Sequence, residues 1–292
     1  MNKKLVVAMS TSCLDYHPHP HRVRILRLYI EMGGRRYLDG QDLKHADFQD
    51  WMLGHPGQTA QTAPPPRLEL TRFFLKIMDE GYSEVLFVAM SSALSATGAR
   101  VREIAPLFDG KMRIEVFDSQ TGTFTEGLMA LEADRCFQAG WTMERTLARL
   151  EYLRRDCQVL FGVADLRYLI NNGRLSRMSG AVANLLRLKP LIQVSGEGGG
   201  EARVAERIMT TTRAMRAISE RVGYYTDGGS CHSVFTLYSG SSGLHRNLQD
   251  MLAAHHGLSR LPAYPISPVV AAHIGPFAFG VGMMRIAPEG LM

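Results

Sequence analysis

The chain has 292 residues, room for two modest domains or one large one, and its 46% hydrophobic content is ordinary for a water-soluble protein. No apolar run reaches the roughly 18 residues that a membrane span requires, which excludes a transmembrane segment. The net charge of +5 is carried mainly by Arg, but residues such as Arg145, Arg149, Arg154 and Arg155 are spread along a helical pattern with no interleaved aromatics, which argues against nucleic acid binding.

Met1 to Lys4 followed by apolar Leu5 to Met9 begins like a signal peptide, yet the apolar stretch stops at Ser10. That is too short for such a leader and fits a buried first strand. Cys13, Cys136, Cys157 and Cys231 form no Cys-x-x-Cys pair. Free buried thiols in a reducing cytoplasm are the simplest account. His17, His19 and His21 alternate with Pro18 and Pro20 and have no acidic or Cys partner nearby, so a surface loop is favoured over a metal site. Ile25 to Met32 reads as a strand ending in a Gly33-Gly34 turn. Gly57 to Pro66 reads as an irregular loop, held extended by Pro64 to Pro66, that places Thr59 and Thr62. Leu68 to Met78 carries a helical apolar face closed by Gly81.

Val85 to Met90 reads as a buried strand. The hydroxyl-rich run from Ser91 to Gly98 then predicts the start of a helix bearing Val101, Ile104 and Leu107. A helix start has unpartnered N–H groups and a positive dipole end, so Ser and Thr there suit a small anion such as a carboxylate. An ordinary N-cap fits the same residues. Arg113 to Phe117 is a further strand. Leu128, Met129, Leu131 and Cys136 mark a helix, and Thr142 caps another that bears Leu147, Leu150 and Leu153. This alternation predicts a parallel sheet.

The pattern changes after about Asp156. Val159 to Val163 is expected as a strand, Leu166 to Ile170 as a short helix, and Asn171-Asn172-Gly173 as its left-handed end. A helix near Ala181 to Leu186 and a strand at Leu191 to Val194 follow. Gly196 to Gly200 is a hairpin-like turn with the wrong spacing for a dinucleotide loop, leading into Ala202 to Ala205. A helix from Thr210 to Val222, then Ser233 to Leu237, Leu244 to His256 and Val269 to Ala272, complete an α/β layer. His273 is expected at a strand end beside Gly275-Pro276, either facing a cleft or as a satisfied structural histidine. Arg174, after a glycine in a turn, is expected to project outward. Ser92 and His273 could form a nucleophile and base, but no Gly-x-Ser-x-Gly elbow is present and nothing in the pattern points to catalysis.

Taken together, these segments resemble the DegV family of fatty-acid-binding proteins over nearly the whole chain. Ser91-Ser92-Ala93-Leu94-Ser95-Ala96-Thr97 resembles the family's Ser-Ser-x-Leu-Ser-Gly-Thr, with Ala96 for Gly. Tyr37 to Leu43 resembles its Tyr-x-Asp-Gly-x-Asp-Ile. Leu166 to Leu169, Asn172 to Ser176 and Leu185 to Leu191 resemble its long Leu-x-Tyr-Leu, Gly-Gly-Arg-Ile-Ser and Lys-Pro-Ile signature. His273-Ile274-Gly275-Pro276 resembles its His-x-Gly-Pro turn. Two departures stand out. The family's Thr-Ser-Gln-Pro is Thr62-Ala63-Pro64-Pro65 here, and its N-terminal Thr-Asp-Ser appears as Met9-Ser10-Thr11.

The resemblance implies an α/β, two-domain DegV-like fold, with an N-terminal parallel sheet and flanking helices (1–156) and a C-terminal mixed-sheet α/β domain (157–292) that holds the lipid cleft. It implies a long-chain fatty acid bound between the domains, its carboxylate held by Thr62, Ser91, Ser92 and His273, with Arg174 on a face that docks a partner fatty acid kinase. No catalytic residue, metal or cofactor is expected. Peripheral membrane contact is compatible with this reading. The rival reading is a Ser-His esterase using Ser92 and His273.

Overall fold

The computed structural model describes residues 3–174, 188–226, 232–240 and 243–285. Its first half contains β1 (Lys4–Met9), β2 (Arg24–Leu26), β3 (Tyr29–Met32), β4 (Arg35–Leu38), α1 (His45–Gly54), β5 (Gln61–Ala63), α2 (Arg67–Asp79), β6 (Glu84–Ala89), α3 (Thr97–Ile104), β7 (Arg113–Asp118), α4 (Phe124–Gln138) and α5 (Met143–Arg155). The order β2-β1-β6-β7 forms a wholly parallel sheet. Both of its faces are covered, which is why Val85 to Ala89 is continuously apolar and buried. On one face Phe74 of α2 packs edge-on against Phe87, and Gly98 of α3 lies against Ala89. On the other lies α4, which is buried on nearly all sides.

The second half contains β8 (Gln158–Gly162), α6 (Arg167–Asn171), β9 (Leu191–Ser195), β10 (Arg203–Glu206), α7 (Thr211–Thr226), β11 (His232–Tyr238), α8 (Gly243–His256), β12 (Ala263–Pro265), α9 (Pro268–Ile274) and β13 (Phe279–Arg285). Its six-stranded sheet runs β10-β9-β8-β13-β11-β12 and is mixed, with β11 and β12 its parallel pair. Helices α7 and α8 cover one face of this sheet through a second apolar cluster that includes Ile218, Val222, Leu248 and Leu252. The opposite face meets the first half, where Phe124 stacks on Tyr264 with ring centroids 3.6 Å apart. Gln49 Nε2 also donates to the Pro276 carbonyl at 3.1 Å. One apolar cluster runs through both halves.

The structure corrects several expectations. Ile25 to Met32 is two strands: β2 joins the parallel sheet, while β3 joins β4 and β5 in a separate three-stranded antiparallel sheet. Leu28 between them marks the change of sheet. Part of the expected loop, Gln61–Ala63, is therefore β5. The helix after β6 begins at Thr97, because Leu94 N and Ser95 N both donate to Ser91 O and close a turn first. Val269 to Ala272 is helical: Ser267 caps α9 by accepting from Val270 N, and Pro268 is suited to the first helical turn. The expected helix at Ala181 to Leu186, the motif residues Leu175, Ser176 and Leu185 to Arg187, and Cys231 lie outside the described residues. Cys13, Cys136 and Cys157 are free and buried.

Candidate ligand-binding site

A cavity of about 150 Å³ lies between the two large sheets. The second half supplies an apolar wall: Val159 and Phe161 from β8, Val194 from β9, Leu169 from α6, and Val269 and Val270 from α9. The first half supplies Leu28, Met90 and a series of hydroxyls. These stand at the carboxyl ends of the parallel strands, where ligands of open α/β sheets bind.

One end is polar and cationic. Thr62 Oγ1 lies 2.8 Å from His273 Nε2. β5 places the threonine through its pairing with Ile30 of β3, and the last turn of α9 places the histidine. His273 Nδ1 is buried without a partner. Burial, assisted by the Arg174 charge, lowers the imidazole pKa to about 4, so the ring is neutral near pH 7. Arg174 also lines this end, held by hydrogen bonds to the carbonyls of Asn172 and Leu94. Ser95 and Thr97 complete it. Their hydroxyl oxygens are 3.0 Å apart, and Thr97 N donates to Ser95 Oγ at 3.3 Å, so Ser95 occupies the start of α3. Arg100, one turn further along α3, is exposed and lines the same cavity.

Thr62 and His273 thus meet as the sequence suggests, but Ser91 and Ser92 do not join them. Ser91 is fully buried at the junction of the halves, where its Oγ donates to Gly200 O at 2.8 Å and accepts from Ala93 N at 3.2 Å. Gly200 has φ +74, and a Cβ there would sit 2.2 Å from Ser91 Oγ, so this contact requires glycine. Ser92 is exposed, and its backbone N–H donates to Asp118 Oδ1 at 3.2 Å. Neither serine lines the cavity. His273 bonds Thr62, so no Ser92–His273 dyad forms and the esterase reading loses its geometry. Arg174 does not project outward: it is partly buried and faces the cavity. Sequence reasoning passed over Ser95 and Thr97, although both lie in the quoted motif. The missed signal was where the turn closes.

A second group of hydroxyls lies where β1 ends and α4 begins. Thr11 Oγ1 is 2.8 Å from Glu126 Oε2, and Met9 N donates to Oε1 at 3.3 Å. Burial raises the Glu126 carboxyl well above its ordinary range. Thr11 and Thr123 both line the cavity. The described residues hold no cluster of three or more His, Cys, Asp or Glu able to bind a metal ion. No helix among them is long and apolar enough to cross a membrane.

A family model described as "Uncharacterised protein, DegV family" matches residues 3–285. The chain belongs to the DegV family. It is 25% identical to a DegV domain-containing protein of Clostridium acetobutylicum, over 98% of this chain and all of that one. A Deinococcus radiodurans DegV domain-containing protein is 27% identical over 88% of this chain and 89% of its own length. Among solved structures, a DegV family protein from Thermus thermophilus described by its fatty acid binding superposes with a TM-score of 0.86 at 26% identity, over 97% of this chain and all of that one. The Bacillus subtilis fatty-acid-binding DegV shares the fold at a TM-score of 0.87 and 21% identity, over 98% of this chain and all of that one.

Proposed function

We propose that this DegV protein is a non-catalytic carrier of a long-chain fatty acid, held between a parallel-sheet domain (1–156) and a mixed-sheet domain (157–292). The observation that carries this reading is the cavity, with its apolar wall from one half and its single cationic, hydroxyl-lined end. The fatty acid binding of the Thermus thermophilus relative supports it. Burying about fifteen methylenes at ~0.8 kcal/mol each gives an upper bound of about 12 kcal/mol, which ordering and association costs reduce. The polar end fixes orientation: Arg174 supplies charge, and Thr62, Ser95, Thr97 and the neutral His273 supply hydrogen bonds to the carboxylate. The chemistry then belongs to a partner, a fatty acid kinase that converts the presented carboxylate to an acyl phosphate. Arg100 at the mouth is a cation that such a partner would meet first.

Native mass spectrometry of the recombinant protein, with lipid extraction, tests the first step. A stoichiometric fatty acid is expected. Finding none, with no binding of added saturated or unsaturated acids to the delipidated protein, would overturn the carrier reading. Incubating the loaded protein with a fatty acid kinase and ATP tests presentation, with acyl phosphate as the expected product.

A further inference from the structure

The cavity has more hydrogen-bonding capacity than a plain acyl chain can use. Besides the end at Thr62 and His273 it has a second polar group, Thr11, Thr123 and Glu126, where β1 ends and α4 begins. Thr123 begins α4, and Thr125 two residues on packs beside Gly282, where an added Cβ would come 2.8 Å from Thr125 Oγ1. Gly282 is paired with Val159 at the start of β8. From there β8 runs along the cavity wall through Phe161 to Gly162, and the chain continues into α6 and Arg174.

Within this second group Thr11 is committed to Glu126, but Thr123 is not. Thr123 is 7% exposed, lines the cavity, and its buried hydroxyl has no hydrogen-bond partner. A buried hydroxyl left unpaired is costly. The residue is also held at φ 59, ψ −151, a conformation unfavourable for a β-branched side chain. A methylene chain packed against Thr123 would leave its Oγ1 unsatisfied, whereas a chain hydroxyl would give it both a donor and an acceptor.

We propose that the cavity, through Thr123, selects an acyl chain bearing a hydroxyl group over the unsubstituted chain. This rests on the carrier reading above and adds a ligand class to it.

The test uses the full, delipidated chain and calorimetric titration with octadecanoic acid and its 10- and 12-hydroxy derivatives. At least one hydroxy acid should bind about tenfold tighter than octadecanoic acid, the ratio given by one hydrogen bond of ordinary net strength. Thr123→Val should remove that preference by weakening the hydroxy acid alone, while Thr123→Ser should keep it. Equal or weaker binding of both hydroxy acids to the wild type would overturn the proposal, whether or not the valine variant folds. So would a preference that survives Thr123→Val. If none of the three acids binds, it is the carrier reading that fails.

Discussion

Acidification should destabilise the ligand-free protein through His273, and the size of the effect follows from its environment. The ring is largely buried and faces Arg174, which together depress its pKa to about 4 from the ordinary 6.5. Between those values the unfolded chain binds more protons than the folded one, so His273's contribution is complete above pH 6.5 and is lost as pH falls through the window. At pH 5 an unfolded imidazole is nearly all protonated, while the folded one is about nine-tenths neutral. His273 therefore costs about 2 kcal/mol of stability between pH 7 and pH 5. Asp39 opposes it. Burial raises that carboxyl to about 7, so its contribution grows as pH falls through the same range. Glu126, raised by burial, acts in the same sense as Asp39, so a wild-type pH profile mixes terms of opposite sign. His273→Gln, which cannot titrate, isolates one of them. Chemical denaturation of both delipidated proteins at pH 7 and pH 5 should show wild type losing about 2 kcal/mol relative to the variant, or about 4 °C in a thermal scan. A gap between the two proteins that does not change with pH would refute the neutral, buried histidine.

Arg174→Ala should weaken fatty acid binding by about ten- to a hundredfold, the worth of a hydrogen bond to a charged group, as read by titration calorimetry; unchanged affinity would place the guanidinium outside the carboxylate site. Ser95→Ala should lower affinity in the same assay, whereas Ser91→Ala should cost about 1 kcal/mol in chemical denaturation and leave affinity within about twofold. A large loss of affinity in Ser91→Ala would return that serine to the site. Gly200→Ala should destabilise by about 2 kcal/mol or more, since its backbone is left-handed and the new Cβ would meet both Ser91 Oγ and, at 2.8 Å, Gln120 Cα. Adding Ser91→Ala should not restore stability, because the Gln120 backbone remains in the way.

Much of the fold was legible because its elements obey local rules. The first, third and fourth strands of the parallel sheet, β1, β6 and β7, are uninterrupted or alternating apolar runs, and Thr142 caps α5 as its sequence suggests, accepting from Arg145 N at 3.2 Å. The misreadings arise where a distant contact overrides the local pattern. β13 escaped notice because Gly280 and Gly282 break its apolar run. Both are glycine because Leu160 O and the Phe235 ring lie where a side chain would stand. The segment around His273 has strand-like β-branched residues, yet the Ser267 cap and Pro268 start a helix. The site was half legible. The motif run offers Ser91, Ser92, Ser95 and Thr97, and local sequence cannot say which faces a ligand. Gly200, more than a hundred residues away, decides it by taking the Ser91 hydroxyl.

That division of labour bears on why this geometry suits holding an acid rather than reacting it. A nucleophile needs a base oriented toward it, and the base a group to orient it in turn. Here the histidine is neutral, its Nε2 is engaged by a threonine, Nδ1 has no carboxylate to orient it, and the charge that acts on the ring is an arginine. The same features are what a buried carboxylate requires. One positive charge offsets its desolvation, and neutral donors satisfy its lone pairs without adding a second buried cation. Occupying this end would bring an anion beside His273 and relieve the penalty that Arg174 imposes on the protonated ring. Binding should therefore raise the His273 pKa and take up protons as pH falls below 6.5. Since Thr62, Ser95 and Thr97 come from the first half and His273, Arg174 and the apolar wall from the second, a bound acid would also tie the halves together across the junction already pinned by Ser91, Gly200 and the Phe124–Tyr264 stack. On the carrier reading proposed above, the protein should be most stable when loaded, because ligand that binds only the folded state adds its binding free energy to stability.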